Sequence, residues 1–246
     1  MRKFIIIFSC LLFAYEQMQA QTCYLKQYIV TEQGKTDTTF YIYDDKTNLL
    51  EELKYPIYEG GHYVYTYSYY DGVLYTVYDG MFYHNYSYND KQQISRVIDT
   101  DGGVSNFFQT YIYDNENRLV KIIHYETQYM EDTIISMFYN YYYDGDKLIK
   151  REDFENYPDT NSAPSSITTY EYDTHKNPGY NPIYASLTEK YMVTKSLYYG
   201  NDGNLFDEYC FTRTCTYNKQ GYPVSCTVSY LDGTEKATEV YTYKCK

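Results

Sequence analysis

Apolar and polar residues alternate along most of the chain with the two-residue period of a β-strand. Tyrosine occupies every second position from 63 to 69, and valine, threonine and serine fill the positions between them. Successive side chains of a strand point to opposite faces, so this segment is typical of a strand with one aromatic face. No stretch of about a dozen residues shows the 3.6-residue apolar stripe of a helix. We therefore expect an all-β protein.

A short phrase recurs along the chain: an aromatic residue, any residue, a tyrosine, and then an aspartate or asparagine that precedes a polar turn. Clear copies are Tyr41–Asp44, Tyr86–Asn89, Tyr111–Asp114, Tyr141–Asp144 and Tyr170–Asp173, and looser copies lie at 69–72, 198–201, 216–218 and 241–243. The copies follow one another at roughly 25 residues, a spacing typical of an array of supersecondary units.

Each part of the phrase has a physical interpretation as part of a β-hairpin. The two aromatic residues lie on one face of a strand. Aspartate or asparagine can bond its own downstream backbone and start a turn, and the glycine or asparagine that follows accepts a positive φ, as at Asp71-Gly72 and Asp144-Gly145. We predict an antiparallel meander of repeated hairpins with about 14–18 strands, curled or closed into a barrel-like sheet because a long open sheet twists and exposes its edges.

The first twenty residues have the features of an export signal. Arg2 and Lys3 precede an apolar stretch that ends at Tyr15, and Ala20 closes a cleavage-like tripeptide. We interpret residues 1–20 as a signal peptide and residues 21–246 as a single all-β domain. The mature protein is then expected in the periplasm, at the cell surface or outside the cell.

Composition narrows the possible functions. The chain contains 39 tyrosines and no tryptophan, so most of the apolar surface that it can bury carries a hydroxyl, which argues against a helical bundle and against disorder. The formal net charge is −12. This charge disfavours nucleic acid as a partner and disfavours docking on anionic lipid.

Export permits disulfide bonds, and five cysteines remain after the leader. A hairpin centred on residues 218–221 would set Cys215 opposite Cys226, which makes this pair a disulfide candidate. Cys23 and Cys245 lie near the two ends and could clasp them. An odd number leaves at least one cysteine unpaired, and the absence of a CxxC motif argues against a zinc site.

Catalytic motifs are absent from the sequence. There is no HExxH, no GxSxG and no glycine-rich phosphate loop. His62 and His84 lie in tyrosine-rich strands, where we expect them to be half-exposed cross-strand neighbours of tyrosine. Acidic pairs such as Asp99 and Asp101 are too common in the chain to indicate a glycosidase or calcium site. We assign no catalytic residue, no metal ligand and no cofactor.

The tyrosine-rich strand is the candidate for binding. Aromatic rings on a rigid sheet form a platform for sugar rings or peptide chains, and tyrosine suits a surface that is dry at one end and wet at the other. The candidate residues are Tyr63, Tyr65, Tyr67 and Tyr69. The alternative is that these rings pack as core, because aromatic cross-strand pairs also stabilise sheets. A repeated feature is more often architecture than a site, so core packing is favoured.

The phrase resembles the YD repeat of RHS and teneurin-type shells. From residue 40 to residue 246 the chain is more similar to a family of uncharacterised exported proteins from Gram-negative gut bacteria with a porin-like fold, in which the phrase ends in Asn-Pro, as Asn177-Pro178 does here. Asparagine often replaces the aspartate of the repeat. The arginine that the repeat places after its turn is clear only at Arg118. The resemblance implies a porin-like fold and brings no activity, and the chain is too short to carry the function of an RHS toxin shell.

Three functions follow from these observations. The leading hypothesis is an exported, non-enzymatic repeat protein that acts as a scaffold or binding module of the periplasm or cell surface, with a glycan or a cell-surface protein as partner. The first alternative is an outer-membrane β-barrel, which would require an aliphatic outward face with tyrosine confined to girdles. The second alternative is an extracytoplasmic hydrolase of glycans or peptides, which would require two inward carboxylates in a cleft.

Overall fold

The computed structural model describes residues 23–32, 34–56, 62–101, 104–128, 132–155, 163–177, 191–233 and 236–245, and the proposed leader lies outside them. These ranges contain sixteen strands: β1 Cys23–Glu32, β2 Lys35–Tyr43, β3 Leu50–Pro56, β4 His62–Tyr70, β5 Val73–Tyr78, β6 Tyr83–Tyr88, β7 Ile94–Asp101, β8 Val104–Tyr113, β9 Leu119–Gln128, β10 Asp132–Asp144, β11 Lys147–Glu155, β12 Ser166–Lys176, β13 Tyr191–Gly200, β14 Phe211–Tyr217, β15 Pro223–Tyr230 and β16 Lys236–Cys245. A 3₁₀ turn, Asp207–Tyr209, precedes β14. Within the described part of the chain, no helix is long and apolar enough to cross a membrane.

The strands form one closed antiparallel barrel. Each strand pairs with the next one in sequence, and β16 pairs with β1 from Cys23 opposite Cys245 to Glu32 opposite Ala237. Closure pairs the two strands that would otherwise be edges, which removes the unpaired backbone groups of an open sheet. The predicted all-β meander of 14–18 strands, curled or closed into a barrel, is confirmed.

The hairpin turns at one end of the barrel follow the chemistry expected from the repeated phrase. The Oδ1 atom of Asp114 accepts hydrogen bonds from the backbone N–H groups of Glu116 at 2.8 Å and Arg118 at 2.9 Å. Asp44, Asn89 and Asn218 accept equivalent bonds in their own turns. Asn117 in the Asp114 turn has a φ of 65°, the left-handed conformation that asparagine tolerates better than most residues. We call this end, which also holds Cys23 and Cys245, the turn end, and the opposite end the mouth.

A β-bulge adjoins the second tyrosine of most copies of the phrase. The register shifts between Ile112 and Tyr113, so that Tyr113 faces Leu119 while Ile112 faces Lys121. Equivalent shifts precede Tyr43, Tyr69, Tyr88, Tyr143 and Tyr217. The extra residue lets two side chains three positions apart both face the interior, as Leu119 and Ile122 do, and both of these are buried.

In five copies of the phrase, the second tyrosine joins consecutive hairpins. Its hydroxyl donates a hydrogen bond to a backbone carbonyl of the preceding hairpin, at the residue that pairs with that hairpin's own second tyrosine. The bonds of this type are Tyr69 to Leu50 at 3.0 Å, Tyr88 to Leu74 at 2.7 Å, Tyr113 to Ile94 at 2.8 Å, Tyr143 to Leu119 at 2.9 Å and Tyr243 to Pro223 at 2.7 Å. Tyr217 instead donates to the carboxylate of Asp173. The repeat therefore carries its own lateral connection around the turn end.

Four cysteines form two disulfides. Cys215 and Cys226 face each other across β14 and β15 with sulfur atoms 1.99 Å apart, and Cys23 and Cys245 close the seam between β1 and β16 at 2.08 Å. Cys210 is a free thiol and is fully buried. Both pairings are those expected from the sequence, and one cysteine is left over.

Candidate binding face inside the barrel

The interior carries side chains in three levels between the turn end and the mouth. Strand register and burial define the inward face, because directly paired residues share a side of the sheet. The second tyrosines form the first level and the first tyrosines the second. A buried aliphatic and aromatic cluster spans both levels on one side of the barrel and consists of Leu74, Val77, Ile94, Val97, Tyr111, Leu119 and Ile122. A polar belt forms the third level, towards the mouth.

The structure places the four candidate tyrosines of β4 together on the inward face, but in different environments. Tyr65, Tyr67 and Tyr69 pack against the buried cluster, whereas Tyr63 is 48% exposed. Tyr55 of β3 contacts both Tyr63 and Tyr65, with ring centroids 5.5 Å apart in each case, and its hydroxyl lies 3.2 Å from that of Tyr65. The predicted platform is thus partly core and partly open. We call Tyr55 together with the two rings that contact it, Tyr63 and Tyr65, the mouth cluster.

The first tyrosines form a continuous row around the interior. Burial, together with the nearby hydroxyls of Tyr86 and Tyr41, raises the pKa of Tyr67. Burial and the hydroxyls of Tyr86 and Tyr141 likewise raise the pKa of Tyr111. These side chains remain neutral phenols at physiological pH, and their hydroxyls lie within electrostatic reach of one another. We call Tyr41, Tyr67, Tyr86, Tyr111 and Tyr141 the tyrosine row.

Most hydroxyls of this row have no partner among the described residues. Tyr111 donates to Oε1 of Gln109 at 2.7 Å. The hydroxyls of Tyr41, Tyr67, Tyr86 and Tyr141 make no hydrogen bond with the described part of the chain. A phenol hydroxyl without a partner can act both as a donor and as an acceptor.

The polar belt contains a histidine held between two carboxylates. Nδ1 of His84 lies 2.6 Å from Asp99 Oδ1, and Nε2 lies 3.2 Å from Asp79 Oδ2. The hydrogen bond to Asp99 is the largest cause that raises the pKa of His84, and burial opposes it. His84 stands opposite Val77 and Asp99, so the expectation that it is a cross-strand neighbour of tyrosine is wrong. His62, by contrast, is exposed and pairs with Pro56, and its ring lies 6.0 Å from that of Phe40.

A second group in the belt is an ion pair bound by two phenols. Arg213 contacts Glu239 through Nε at 3.0 Å and Nη2 at 3.1 Å. Tyr28 and Tyr241 donate to the two oxygens of Glu239 at 2.7 and 2.8 Å. Glu239 is only 4% exposed, and this arrangement satisfies both of its oxygens. Its geometry is that of a structural cluster, because a buried charge requires partners on all sides.

The remaining ionised groups of the belt follow the same pattern. Arg151 binds Asp153 through Nε at 2.7 Å and Nη2 at 2.8 Å. His124 is different: its ring meets Tyr139 edge-on at 5.2 Å and makes no hydrogen bond with the described residues, and burial lowers its pKa. The belt therefore contains two arginine–carboxylate pairs, one histidine shared by two aspartates, and one neutral imidazole.

Sequence reasoning named His84 and Asp99 but did not bring them together, and it missed Arg151 and Arg213. Arg213 lies 26 residues from Glu239, which it binds across the barrel wall. A signal for Arg151 was present, because it occupies the position of Ile122 in the repeat, three residues after the first apolar residue of the returning strand. Within the described ranges, no group of three or more histidine, cysteine or acidic side chains could hold a metal ion.

Solved structures include barrels of similar fold. The barrel of this chain is similar to a porin-like protein from Bacteroides uniformis with a TM-score of 0.59 and 17% identity, over 89% of this chain and 96% of that one. A porin-like protein from Bacteroides vulgatus matches with a TM-score of 0.47 and 11% identity, over 91% of this chain and 99% of that one. No protein-family model matches the chain, and no curated protein matches it in sequence. The predicted porin-like fold is confirmed, while kinship with the RHS repeat stays a prediction.

Proposed function

We propose that the protein is an exported, non-enzymatic barrel that works as a scaffold or binding module of the periplasm or cell surface without embedding in lipid. The observation that carries this proposal is the outward face of the barrel. Its disulfides also fit export, because such bonds persist in oxidising compartments.

Charged side chains lie on the outward face within the strands. Ion pairs there join Lys54 to Glu52 at 2.8 Å, Lys150 to Glu152 at 2.8 Å and Lys195 to Glu171 at 2.7 Å. Arg96 and Lys121 are also outward and lie over the rings of Phe108 and Phe138 at 4.1 and 4.0 Å. A lysine or arginine on the lipid face near the membrane midplane costs about 2–4 kcal/mol. These residues therefore support an outward face bathed in water.

One part of the wall is also short for a bilayer. Strands β5 and β6 have six residues each, and the turn between them is tight, with Asp79 Oδ1 accepting from the N–H groups of Met81 at 2.8 Å and Phe82 at 2.6 Å. Six residues extend about 20 Å, or about 16 Å along the axis at a tilt of about 40°. The apolar band of an outer-membrane barrel is about 25 Å tall.

The two alternatives have weaker support. The porin-like fold favours the outer-membrane barrel, but the charged outward face and the short wall oppose it. The hydrolase requires inward carboxylates free to exchange protons with a substrate, whereas Asp99, Asp153 and Glu239 are each bound to a basic side chain. These contacts support a non-enzymatic role.

The test is the behaviour of the mature chain, residues 21–246, in the absence of detergent. We expect a monodisperse soluble protein in the periplasmic or extracellular fraction that stays at the bottom of a liposome flotation gradient. The proposal would be overturned if the chain required detergent for extraction, if it floated with the vesicles, or if it produced conductance steps in a planar bilayer.

A pair of variants makes this test specific to the outward face. Replacing Lys54, Arg96, Lys121, Lys150 and Lys195 by leucine should produce aggregation or flotation with vesicles. The matched threonine variant should stay soluble, because threonine already occupies many outward positions. Equal solubility of the leucine variant would show that the outward charges do not decide where the barrel resides.

A further inference from the structure

We propose that the interior of the barrel binds a neutral oligosaccharide, held by the free hydroxyls of Tyr41, Tyr67, Tyr86 and Tyr141 and by the mouth cluster. The inference deepens the proposed function and rests on it, because it names the ligand class of the binding module. It is carried by the different partners of the two tyrosines in three copies of the phrase: Tyr67 and Tyr69, Tyr86 and Tyr88, and Tyr141 and Tyr143.

The two tyrosines of the phrase have the same chemistry but different partners. In these three copies the hydroxyl of the second one is bonded to a backbone carbonyl, as Tyr69 is to Leu50 and Tyr88 is to Leu74. The hydroxyls of Tyr67 and Tyr86, two residues earlier, make no hydrogen bond with the described part of the chain. Core packing explains the rings of both levels, but it does not explain a row of half-buried phenols whose polar ends are unused, since buried tyrosine hydroxyls usually find a partner.

Charge disfavours an anionic ligand. Asp153 is compensated by Arg151, whereas Asp79 and Asp99 share one histidine, His84, whose single positive charge offsets only one of them. Glu239 is compensated by Arg213. The net charge of −12 repels an anionic ligand. What the interior offers is neutral groups that both donate and accept, which suits a ligand rich in hydroxyls.

The mouth cluster supplies the apolar half of such a site. Tyr63 exposes 48% of its surface, and its ring and that of Tyr65 flank Tyr55. Exposed aromatic faces pack against the C–H faces of sugar rings while leaving the hydroxyls to the polar groups beside them. His124 adds a neutral imidazole at the level of the belt, and its ring makes no hydrogen bond with the described residues. Rings at the mouth and hydroxyls below them would hold several sugar units along the wall.

Titration calorimetry of the mature chain with maltohexaose, cellohexaose and xylohexaose tests the proposal, with trigalacturonic acid and tetralysine as charged comparators. We expect at least one neutral hexasaccharide to bind at millimolar concentration or better, and more tightly than either charged probe. The triple variant Tyr67→Phe, Tyr86→Phe and Tyr141→Phe keeps the rings and removes the free hydroxyls. Its affinity should fall about a hundredfold, at about fivefold for each hydrogen bond, and its melting temperature should stay unchanged.

The control is the hydroxyl that the fold already uses. Tyr69→Phe should lower the melting temperature and leave the affinity within about twofold, because its hydroxyl is bonded to the backbone. Binding of no neutral hexasaccharide, tighter binding of a charged probe, or unchanged affinity in the triple variant would each overturn the inference. A soluble chain that binds none of the sugars refutes only this inference, whereas a chain that enters vesicles refutes the proposed function.

Discussion

The Cys23–Cys245 bond, which we call the seam disulfide, should contribute more to stability than the Cys215–Cys226 bond, which we call the hairpin disulfide. Both are bonds between two cysteine sulfur atoms. Cys23 and Cys245 are separated by 222 residues, and Cys215 and Cys226 by 11. A cross-link stabilises a protein largely because it removes conformations from the unfolded chain, and the number removed grows with the length of the loop. The first bond joins β1 to β16 and encloses almost the entire barrel, whereas the second spans one turn.

The loop-length relation gives the magnitude. A closed loop of the seam's length corresponds to about 5.4 kcal/mol at 25 °C, and one of the hairpin's length to about 2.8 kcal/mol. The expected difference is therefore about 2.6 kcal/mol in the free energy of unfolding. The seam is also held by strand pairing from Cys23 to Glu32, so its reduction is expected to leave the fold intact while lowering its stability.

The assay uses two variants, each with one disulfide. Replacing Cys215 and Cys226 by alanine leaves the seam bond, and replacing Cys23 and Cys245 leaves the hairpin bond. Urea unfolding of each variant, oxidised and then reduced, gives the contribution of the remaining bond with the cost of the substitutions cancelled. Equal contributions, or a larger one from the hairpin bond, would refute the entropic argument and would indicate that native contacts at the bonds dominate.

Three other predictions concern single side chains. Tyr88→Phe removes a hydroxyl that is bonded to the backbone and should lower the free energy of unfolding by about 1 kcal/mol. Tyr70→Phe, on the exposed outer face, should cost nothing measurable. Equal losses for the two variants in urea unfolding would contradict the lateral connection. Arg213→Met leaves the buried carboxylate of Glu239 without its countercharge and should lower the free energy of unfolding by about 3–5 kcal/mol. Adding Glu239→Gln should recover part of this loss. A double variant that is no more stable than the single one would refute the account. The pKa of His84 is raised, chiefly by its hydrogen bond to an aspartate, so its stabilisation is complete below the unfolded value of about 6.5 and is lost as the pH rises through the folded value. His84→Gln should therefore lower the melting temperature more at about pH 5.5 than at about pH 9, and the opposite trend would contradict the sign.

Much of the fold follows from local rules that a sequence displays. The alternation of tyrosine with smaller residues specifies strands with an aromatic face, because side chains of a strand alternate. Aspartate and asparagine at the strand ends specify the turns, and the structure shows the hydrogen bonds that these residues make with their own backbone. The facing positions of Cys215 and Cys226 follow from the turn between them.

The bulges limited what the pattern could reveal about the interior. Leu119 and Ile122 both face inwards although they are three residues apart, which a strict two-residue period does not allow. The same shift places Arg151 inside the barrel, where simple alternation from Leu148 would place it outside. A bulge arises from the pairing of two strands and has no local signature in either strand alone.

The sequence by itself determined the strands, the turns and the repeat, because each depends on residues close together in the chain. Only the tertiary structure decided that the sheet closes, that second tyrosines such as Tyr88 bond to the preceding hairpin, and that the hydroxyls of first tyrosines such as Tyr67 and Tyr86 bond to no group in the described part of the chain. It also brought Tyr28 and Arg213 to the same carboxylate of Glu239. These features depend on which strands become neighbours around the barrel, and closure joins residues at opposite ends of the chain that no local pattern relates.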